Sequence, residues 1–251
     1  MFVSIDEIKE SFAAVIAPGD DVLVHASLGR IGRIAARVDD VVLALRSAVG
    51  SAGTLIMMTD TRSFARTGLF SMSMPSETGL LTECFRCHPD VVRSCVPMVS
   101  FAAVGPRSQE YTQRYNSHLD RTATITRLLH NDGKILLIGV GYDKCTLYHL
   151  AEERSKVPYN EYKTFSGHLI DKNGEVLEAI SQRYFVRSDM TMKKSPEISG
   201  KALEAAGRVA VKGVGNGFMR SFKAREFDQI CMAALQEDPY KFVISSNGSD
   251  T

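Results

Sequence analysis

The sequence has no apolar run long enough to cross a membrane, and it has almost no net charge. No hydrophobic stretch approaches the roughly 20 residues of a membrane span. The acidic residues Asp6, Glu7 and Glu10 stand where a secretory signal would have its apolar region. With 30 basic and 29 acidic residues, the formal net charge is +1, so no overall field favours nucleic acid or an anionic membrane. We therefore expect a soluble, cytoplasmic protein with no nucleic-acid or membrane partner.

Cysteine is scarce and odd in number, which argues against a disulfide framework. A chain of 251 residues with five cysteines is large enough to fold without covalent cross-links. We therefore expect reduced thiols in a reducing compartment.

Residues 84–88 spell C-x-x-C-H, the pattern that attaches c-type haem. With Cys95 nearby, the pattern also resembles a set of zinc ligands. Haem attachment requires an export signal, which we do not find, and a zinc site usually has a second ligand pair with comparable spacing. Cysteines three residues apart on a predicted helix over residues 78–87 also serve as small apolar side chains. We expect no metal.

The order of predicted elements indicates one α/β domain over residues 1–251. A chain with 44% hydrophobic and 24% charged residues can bury a sizeable core. Predicted strands cover residues 22–24, 54–58 and 135–140, with a helix between the first two. Such an order favours a mainly parallel central sheet with helices on its faces, in three layers. The pair Asn173-Gly174 marks the turn of an added β-hairpin over residues 164–186.

Residues 134–159 have the clearest chemical pattern. An apolar strand ends at Gly139 and Gly141, and good helix formers follow from Lys144 to Arg154. At about 100° per residue, His149 lies away from the apolar stripe and about one turn from Glu152. An imidazole beside a carboxylate can act as a general base near neutral pH. The same spacing is also typical of an ordinary solvated polar face.

Several blocks together resemble one enzyme family. The central block reads GKILLIGVG, then TLYHLAE and VPY. The others are VLVHASLGRIG (22–32), VVLALRSAVGSAGTL (41–55), RSCVPMVSFAAVGP (93–106) and GVGNGFMRSFKAREF (213–227). In this order they are similar to the aminoglycoside 3-N-acetyltransferase family, whose members move an acetyl group from acetyl-CoA to an amine. The resemblance covers nearly the whole chain.

The resemblance implies direct transfer of acetyl from acetyl-CoA, as co-substrate, to a small-molecule amine. His149 would be the general base and Glu152 its orienting partner. No Cys or Ser has an evident activated-nucleophile setting, so we expect no acyl-enzyme. The acceptor would be an aminoglycoside or another natural-product or metabolite amine, and the acyl group could differ from acetyl. We expect a monomer or homodimer.

Ligands of parallel sheets gather at the carboxyl ends of the strands, and in the family the block that resembles residues 25–28 helps to hold CoA. The residues expected to bind CoA are His25, Ser27, Leu28, Thr54, Ser100, Val104 and Thr146. Thr146, or a glycine N–H of the turn at residues 139–141, would face the thioester. By spacing alone, His25 also fits a satisfied histidine at the edge of the core.

The predicted acceptor side departs from the family pattern. Val96 and Val99 stand where family members commonly carry histidines. Residues 113–124 lack the P-F-G or G-E-G-S-P turn of many relatives, which predicts a remodelled pocket wall. Relatives often have an acidic residue near the end of the second hairpin strand, and our alignment puts Arg183 there. A cation at that position would repel a polycationic acceptor.

Two acidic residues complete the expected substrate contacts beside Arg183. Glu178 lies on the same predicted strand and could take the acidic role if the alignment shifts. Asp60 opens a long segment, residues 60–78, without clear periodicity. A loop of this length in a compact domain is usually functional or mobile, and we interpret it as a lid or substrate loop.

Two other functions stay open. The altered residues 96–99 are compatible with a degenerate, non-catalytic protein that binds acyl-CoA. A parallel sheet is also compatible with a nucleotide-binding oxidoreductase. However, Gly139-Val140-Gly141 lacks the third glycine and the helix start of a dinucleotide fingerprint.

Overall fold

The computed structural model describes residues 2–189 and 191–244. The helices are α1 (Ile5–Val15), α2 (Leu28–Ile31), α3 (Val38–Val49), α4 (Phe64–Thr67), α5 (Leu80–Arg86), α6 (Ser108–Tyr111), α7 (Thr124–His130), α8 (Tyr148–Arg154), α9 (Glu197–Ala205) and α10 (Ala224–Glu237). The strands are β1 (Phe2–Val3), β2 (Asp21–Ala26), β3 (Arg33–Ile34), β4 (Thr54–Met58), β5 (Leu69–Phe70), β6 (Val92–Arg93), β7 (Phe101–Val104), β8 (Lys134–Ile138), β9 (Asn160–Ile170), β10 (Val176–Arg187), β11 (Lys193–Lys194), β12 (Val209–Val214), β13 (Gly217–Lys223) and β14 (Val243–Ile244).

Seven strands form the central sheet, in the order β12-β13-β8-β2-β4-β7-β6. The strands at its centre, β8, β2 and β4, run parallel, as the strand and helix order predicts. The two strands on each side of this centre pair antiparallel. Short turns such as the one between β12 and β13 can join only antiparallel neighbours. The parallel part of the sheet is therefore its centre, from which the site is built.

Side chains of the central strands alternate between two apolar layers. Leu23 of β2 belongs to the same hydrophobic cluster as Leu150 of α8 and Phe227 of α10. The next residue, Val24, belongs to the opposite cluster, with Phe12 of α1. Helices therefore cover both faces of the sheet, and the predicted three-layer α/β fold is confirmed.

The predicted β-hairpin is present and longer than expected, since it comprises β9 and β10 in antiparallel register. The Asp171 carboxylate accepts hydrogen bonds from the N–H groups of Asn173 and Glu175 at 2.8 and 2.9 Å. Gly174 has a φ of 89°, which glycine adopts without steric cost. The turn therefore forms where the Asn-Gly pair predicts it.

The carboxyl ends of the parallel strands meet at one edge of the sheet. Gly139, directly after β8, has a φ of 62°. A Cβ at this position would lie 2.7 Å from the backbone oxygen of Ser27. Only glycine allows the loops after β8 and β2 to approach this closely, so the turn brings two predicted site segments together.

Candidate active site

His149 and Glu152 meet on α8, as their spacing predicts. His149 Nδ1 lies 2.8 Å from Glu152 Oε2. The Glu152 side chain is fully buried, whereas that of His149 is 27% exposed. With Nδ1 engaged, Nε2 is the ring nitrogen available to a bound molecule. The helix itself begins at Tyr148 rather than at Lys144, because a short 3-10 helix, Tyr142–Lys144, precedes it.

Glu152 is held by donors from beyond α8. The Tyr159 hydroxyl donates to it at 3.1 Å and the Asn160 amide at 3.0 Å. The Lys194 ammonium lies 2.8 Å from each carboxylate oxygen. Burial opposes the charge on Glu152, but the hydrogen bond and charge of His149, together with Lys194, outweigh it and lower the pKa of Glu152. An ionised Glu152 would stabilise the imidazolium formed when His149 takes up a proton.

Sequence reasoning missed Lys194 and Asn160 as members of this cluster. Lys194 lies in β11, a strand of two residues, and its side chain is only 5% exposed. Burial lowers the pKa of Lys194 more than the Glu152 carboxylate raises it. No local pattern marks either residue, because their partner lies on α8. Tyr159, by contrast, stands in the V-P-Y block that carries the family resemblance.

Two adjoining cavities open at the carboxyl edge of the central sheet. The His149 cavity, of about 470 Å³, is lined by Arg62, Asp143, Lys144, Tyr148, His149, Tyr184, Phe185, Val186, Arg187 and Lys194. The His25 cavity, of about 380 Å³, is lined by Val24, His25, Ala26, Ser27, Arg30, Met58, Arg62, Glu77, Thr78, Thr82, Val140, Lys144 and Thr146. Arg62 and Lys144 line both cavities. Molecules bound in the two cavities would meet at this junction.

A third cavity extends the groove away from His149. The Leu28 cavity, of about 470 Å³, shares Ser27 and Thr78 with the His25 cavity and is also lined by Leu28 and Leu80. The three cavities form one path from Leu28 past His25 to His149. An extended molecule could lie in this path with its reactive end at the junction.

Four of the predicted CoA-binding residues lie together in this groove: His25, Ser27, Leu28 and Thr146. His25 Nε2 is 3.5 Å from Thr146 Oγ1. Burial lowers the pKa of His25 to about 4, so this ring is neutral at pH 7. His25 is therefore a neutral hydrogen-bonding group in the groove.

Contrary to the prediction that they bind CoA, Thr54 and Val104 lie at the edge of the sheet opposite the groove. Thr54 begins β4, and its Oγ1 accepts a hydrogen bond from the Arg107 N–H at 3.2 Å. Val104 ends β7, which runs antiparallel to β4 and places Val104 opposite Leu55. An antiparallel strand ends at the edge where a parallel one begins. Neither residue reaches the groove.

Ser100 also differs from the prediction, since it supports a loop instead of lining the groove. It is fully buried, and its Oγ accepts a hydrogen bond from Arg93 Nε at 3.1 Å. The Arg93 guanidinium donates to the backbone oxygens of Met72 and Met74 at 3.2 and 2.5 Å. Burial lowers the pKa of Arg93 to about 10, which leaves it charged at neutral pH. Arg93 thus fixes the loop after β4 that carries Arg62.

Arg183 and Glu178 correct the predicted substrate contacts, because both are exposed on the β9–β10 hairpin. The Arg183 guanidinium lies 4.1 Å from the centre of the Tyr162 ring. Glu178 makes a surface ion pair at 2.7 Å. Tyr184, next to Arg183, lines the His149 cavity, whereas Arg183 does not.

Asp60 is buried behind the groove and does not line it. Its Oδ2 accepts a hydrogen bond from Arg62 Nε at 3.1 Å. Its Oδ1 has no hydrogen-bond partner within the described part of the chain. Burial raises the pKa of Asp60 to about 6, against the opposing charge of Arg62. Asp60 therefore positions Arg62. The prediction that Asp60 itself contacts the substrate does not agree with this placement.

Because Asp60 is buried, we expect the stability difference between Asp60→Asn and the unmodified chain to depend on pH. Its pKa is raised in the folded chain, so its ionisation removes stability as the pH rises from about 4 to about 6. Asparagine cannot ionise, so Asp60→Asn should gain about 2 kcal/mol relative to the unmodified chain between about pH 4.5 and about pH 7.5. Thermal unfolding at about pH 4.5 and 7.5 tests this, with the exposed Asp90→Asn as control. A melting-temperature difference that is independent of pH would contradict the assignment.

The C-x-x-C-H segment does not act as one ligand set. Cys84 and His88 face Asp39 of α3, and His88 Nε2 is 2.9 Å from Asp39 Oδ1. The three potential ligand atoms lie within 4.8 Å of one another, so these side chains could hold a metal ion. Cys87 is exposed and directed to Glu83 at 3.5 Å. A His–Asp pair between α3 and the segment after α5 accounts for the arrangement.

A model of the aminoglycoside 3-N-acetyltransferase family matches residues 23–236. The chain belongs to this family. The predicted family is therefore confirmed, as is the predicted class of enzyme, an N-acetyltransferase that uses acetyl-CoA.

Individual relatives agree with this assignment. Aminoglycoside N(3)-acetyltransferase III of Serratia marcescens is 32% identical over 182 residues, which cover 64% of this chain and 68% of that protein. Aminoglycoside N(3)-acetyltransferase IV of Salmonella is 28% identical over 244 residues, covering 93% and 87%. The crystal structure of aminoglycoside acetyltransferase AAC(3)-IIb superposes with a TM-score of 0.78 at 26% identity, covering 94% and 98%.

Val96 and Val99, which we expect from the sequence to depart from the family pattern, are buried. Both belong to the hydrophobic core. In the segment of residues 113–124, the ring of His118 is buried and lies 5.0 Å from that of Tyr184. Burial lowers the pKa of His118 to about 3, so it packs as a neutral ring behind the His149 cavity.

None of the helices within residues 2–189 and 191–244 combines the length and apolarity that a membrane crossing requires.

Proposed function

We propose that this enzyme transfers acetyl from acetyl-CoA to a primary amine by direct attack, with His149 as general base and Glu152 as its positioning partner. The observation that carries the proposal is the 2.8 Å pair between them at a cavity that adjoins the groove past His25. Acetyl-CoA would extend through the Leu28 and His25 cavities. The amine would lie in the His149 cavity.

The groove offers a side chain suited to the thioester. The Thr146 hydroxyl lines the His25 cavity and could donate to the oxygen of the thioester carbonyl. The N–H of Gly139, the other type of donor expected from the sequence, already donates to the backbone oxygen of Phe218 at 3.0 Å. Thr146 and the N–H of Gly141 are therefore better candidates than the N–H of Gly139 for stabilising the oxyanion.

The reaction needs one base and no covalent intermediate on the protein. The amine nitrogen attacks the thioester carbon, and His149 Nε2 takes the proton that the nitrogen loses. The tetrahedral intermediate then breaks its carbon–sulfur bond. The proton held by His149 passes to the departing thiolate, which leaves an amide and free CoA. Glu152 stabilises the imidazolium in between.

Aminoglycosides are the acceptors that the relatives suggest. The curated relatives are named aminoglycoside N(3)-acetyltransferases, and related structures contain a gentamicin or sisomicin. Another natural-product or metabolite amine would need the same base and the same donor groove. A non-catalytic acyl-CoA binder is not favoured, because the His149–Glu152 pair is intact.

The proposal predicts acceptor-dependent release of the CoA thiol. With acetyl-CoA and a suitable amine, each thiol detected by a disulfide reagent should match one acetylated amine detected by mass spectrometry. We expect no acetylated protein when acetyl-CoA is supplied alone. Binding of CoA without release of thiol for any class of amine would contradict catalysis, and a covalent acetyl group on the chain would contradict direct transfer.

A further inference from the structure

The His149 cavity is lined by more cations than carboxylates. Its lining contains Arg62, Lys144, Arg187 and Lys194, and Asp143 is its one carboxylate among the described residues. A site for a molecule with several positive charges should present the opposite balance. The lining therefore indicates a different kind of acceptor.

Three of these four cations already have a carboxylate partner. The pairs are Lys194 with Glu152 at 2.8 Å, Lys144 with Asp143 at 2.7 Å, and Arg62 with Asp60 at 3.1 Å. These carboxylates compensate much of the charge that their partners present to the cavity.

Arg187 is the exception. Its guanidinium donates to the backbone oxygen of Met192, and it has no ion pair with a carboxylate within residues 2–189 and 191–244. Asp189, which is close in sequence, accepts hydrogen bonds from the N–H and hydroxyl of Thr191. These bonds lower the pKa of Asp189, and the charge of Arg187 contributes less. Most of the hydrogen-bonding capacity of this guanidinium is therefore available to a ligand.

The position of Arg187 ties it to the acceptor and not to the acyl donor. Arg62 and Lys144 line both cavities, so they can contact either reactant. Arg187 lines the His149 cavity but not the His25 cavity. It lies opposite Asn160 in the hairpin, and the Asn160 amide donates to Glu152 at 3.0 Å. The same end of the hairpin therefore carries both Arg187 and Asn160, a residue that holds Glu152 of the catalytic pair.

We infer that the acceptor is a primary amine that also carries an oxyanion, either a carboxylate or a phosphate, and that Arg187 binds this oxyanion. A guanidinium matches the geometry of both groups with two parallel hydrogen bonds. The rings of Tyr184 and Phe185 form an apolar wall for the carbon chain between the oxyanion and the amine. The inference rests on the proposed function and names its substrate class.

A matched set of short amines tests this inference. The set consists of γ-aminobutyrate, aminopropyl phosphate, the neutral aminobutanol, the dication diaminobutane, and gentamicin as a polycation. For each, thiol release gives kcat/KM with acetyl-CoA, and calorimetry gives binding to the CoA-bound enzyme. We expect an anionic amine to give the highest kcat/KM and the tightest binding. Comparison of γ-aminobutyrate with aminopropyl phosphate separates carboxylate from phosphate recognition.

Substitutions at two arginines of β10 make the test specific. Arg187→Met should lower the ratio of kcat/KM for the anionic amine to that for aminobutanol by about 10- to 100-fold, since it removes a charged hydrogen-bond donor. Arg187→Glu should shift the preference toward diaminobutane. Arg183→Met, which removes an exposed guanidinium from the same strand, should leave the ratio as it is. Thermal unfolding shows whether each variant is folded.

The possible results separate this inference from the proposed function. If diaminobutane or gentamicin is preferred and Arg187→Met does not change the ratio, the substrate class is overturned while acetyl transfer stands. If an anionic amine binds and Arg187→Met weakens its binding, but no thiol is released, the recognition stands and acetyl transfer fails. If no anionic amine binds in calorimetry, the inference is overturned whatever the rates.

Discussion

Replacing His149 with alanine should lower kcat by about 10²- to 10⁴-fold, the usual contribution of a general base. The variant keeps the cavities but lacks the imidazole that accepts the proton of the amine. His149 lines only the His149 cavity, so the KM for acetyl-CoA should change little. Steady-state thiol release at saturating acetyl-CoA measures the effect.

Two observations distinguish loss of the base from loss of structure. His168→Ala removes an exposed imidazole from β9 and should retain normal turnover. Added imidazole should restore part of the activity of His149→Ala, because the small base can enter the space left by the side chain. Full turnover by His149→Ala would exclude this residue as the base.

Much of the fold could be predicted from the sequence because its signals are local. The apolar runs at residues 54–58 and 135–140 became the core strands β4 and β8, and Asn173-Gly174 became a hairpin turn. The antiparallel strands at the sheet edges could not be predicted in this way. The pairing of β7 with β4 depends on contacts between segments that are distant in sequence, and no short sequence pattern predicts such contacts.

The catalytic pair could be predicted because one element holds both partners. His149 and Glu152 share α8, so helix periodicity places them together. Lys194 approaches Glu152 from a strand of two residues, and Arg187 approaches the cavity from the end of the hairpin. The prediction for Thr54 was wrong because a residue at the end of a core strand can lie at either edge of the sheet. Only residues at the carboxyl end of a strand face the groove.

Glu152 is expected to support stability as strongly as catalysis, because it is the partner of a buried cation. The Lys194 side chain is 5% exposed and that of Glu152 is fully buried. Without Glu152, the Lys194 ammonium would keep the Asn160 side-chain oxygen, at 3.1 Å, as its one other hydrogen-bond acceptor within the described residues. A buried charge without its counter-charge costs more than the pair contributes when intact.

Glu152→Ala should therefore lower the free energy of unfolding by about 3–5 kcal/mol and the melting temperature by roughly 6–20 °C. The double variant Glu152→Ala with Lys194→Met leaves no unpaired charge and should recover most of this loss. Both variants lack the carboxylate that positions His149, so both should remain slow in thiol release. Recovery of stability without recovery of rate would separate the two roles of Glu152. Equal melting temperatures for the single and double variants would show instead that the Lys194 charge does not determine the loss.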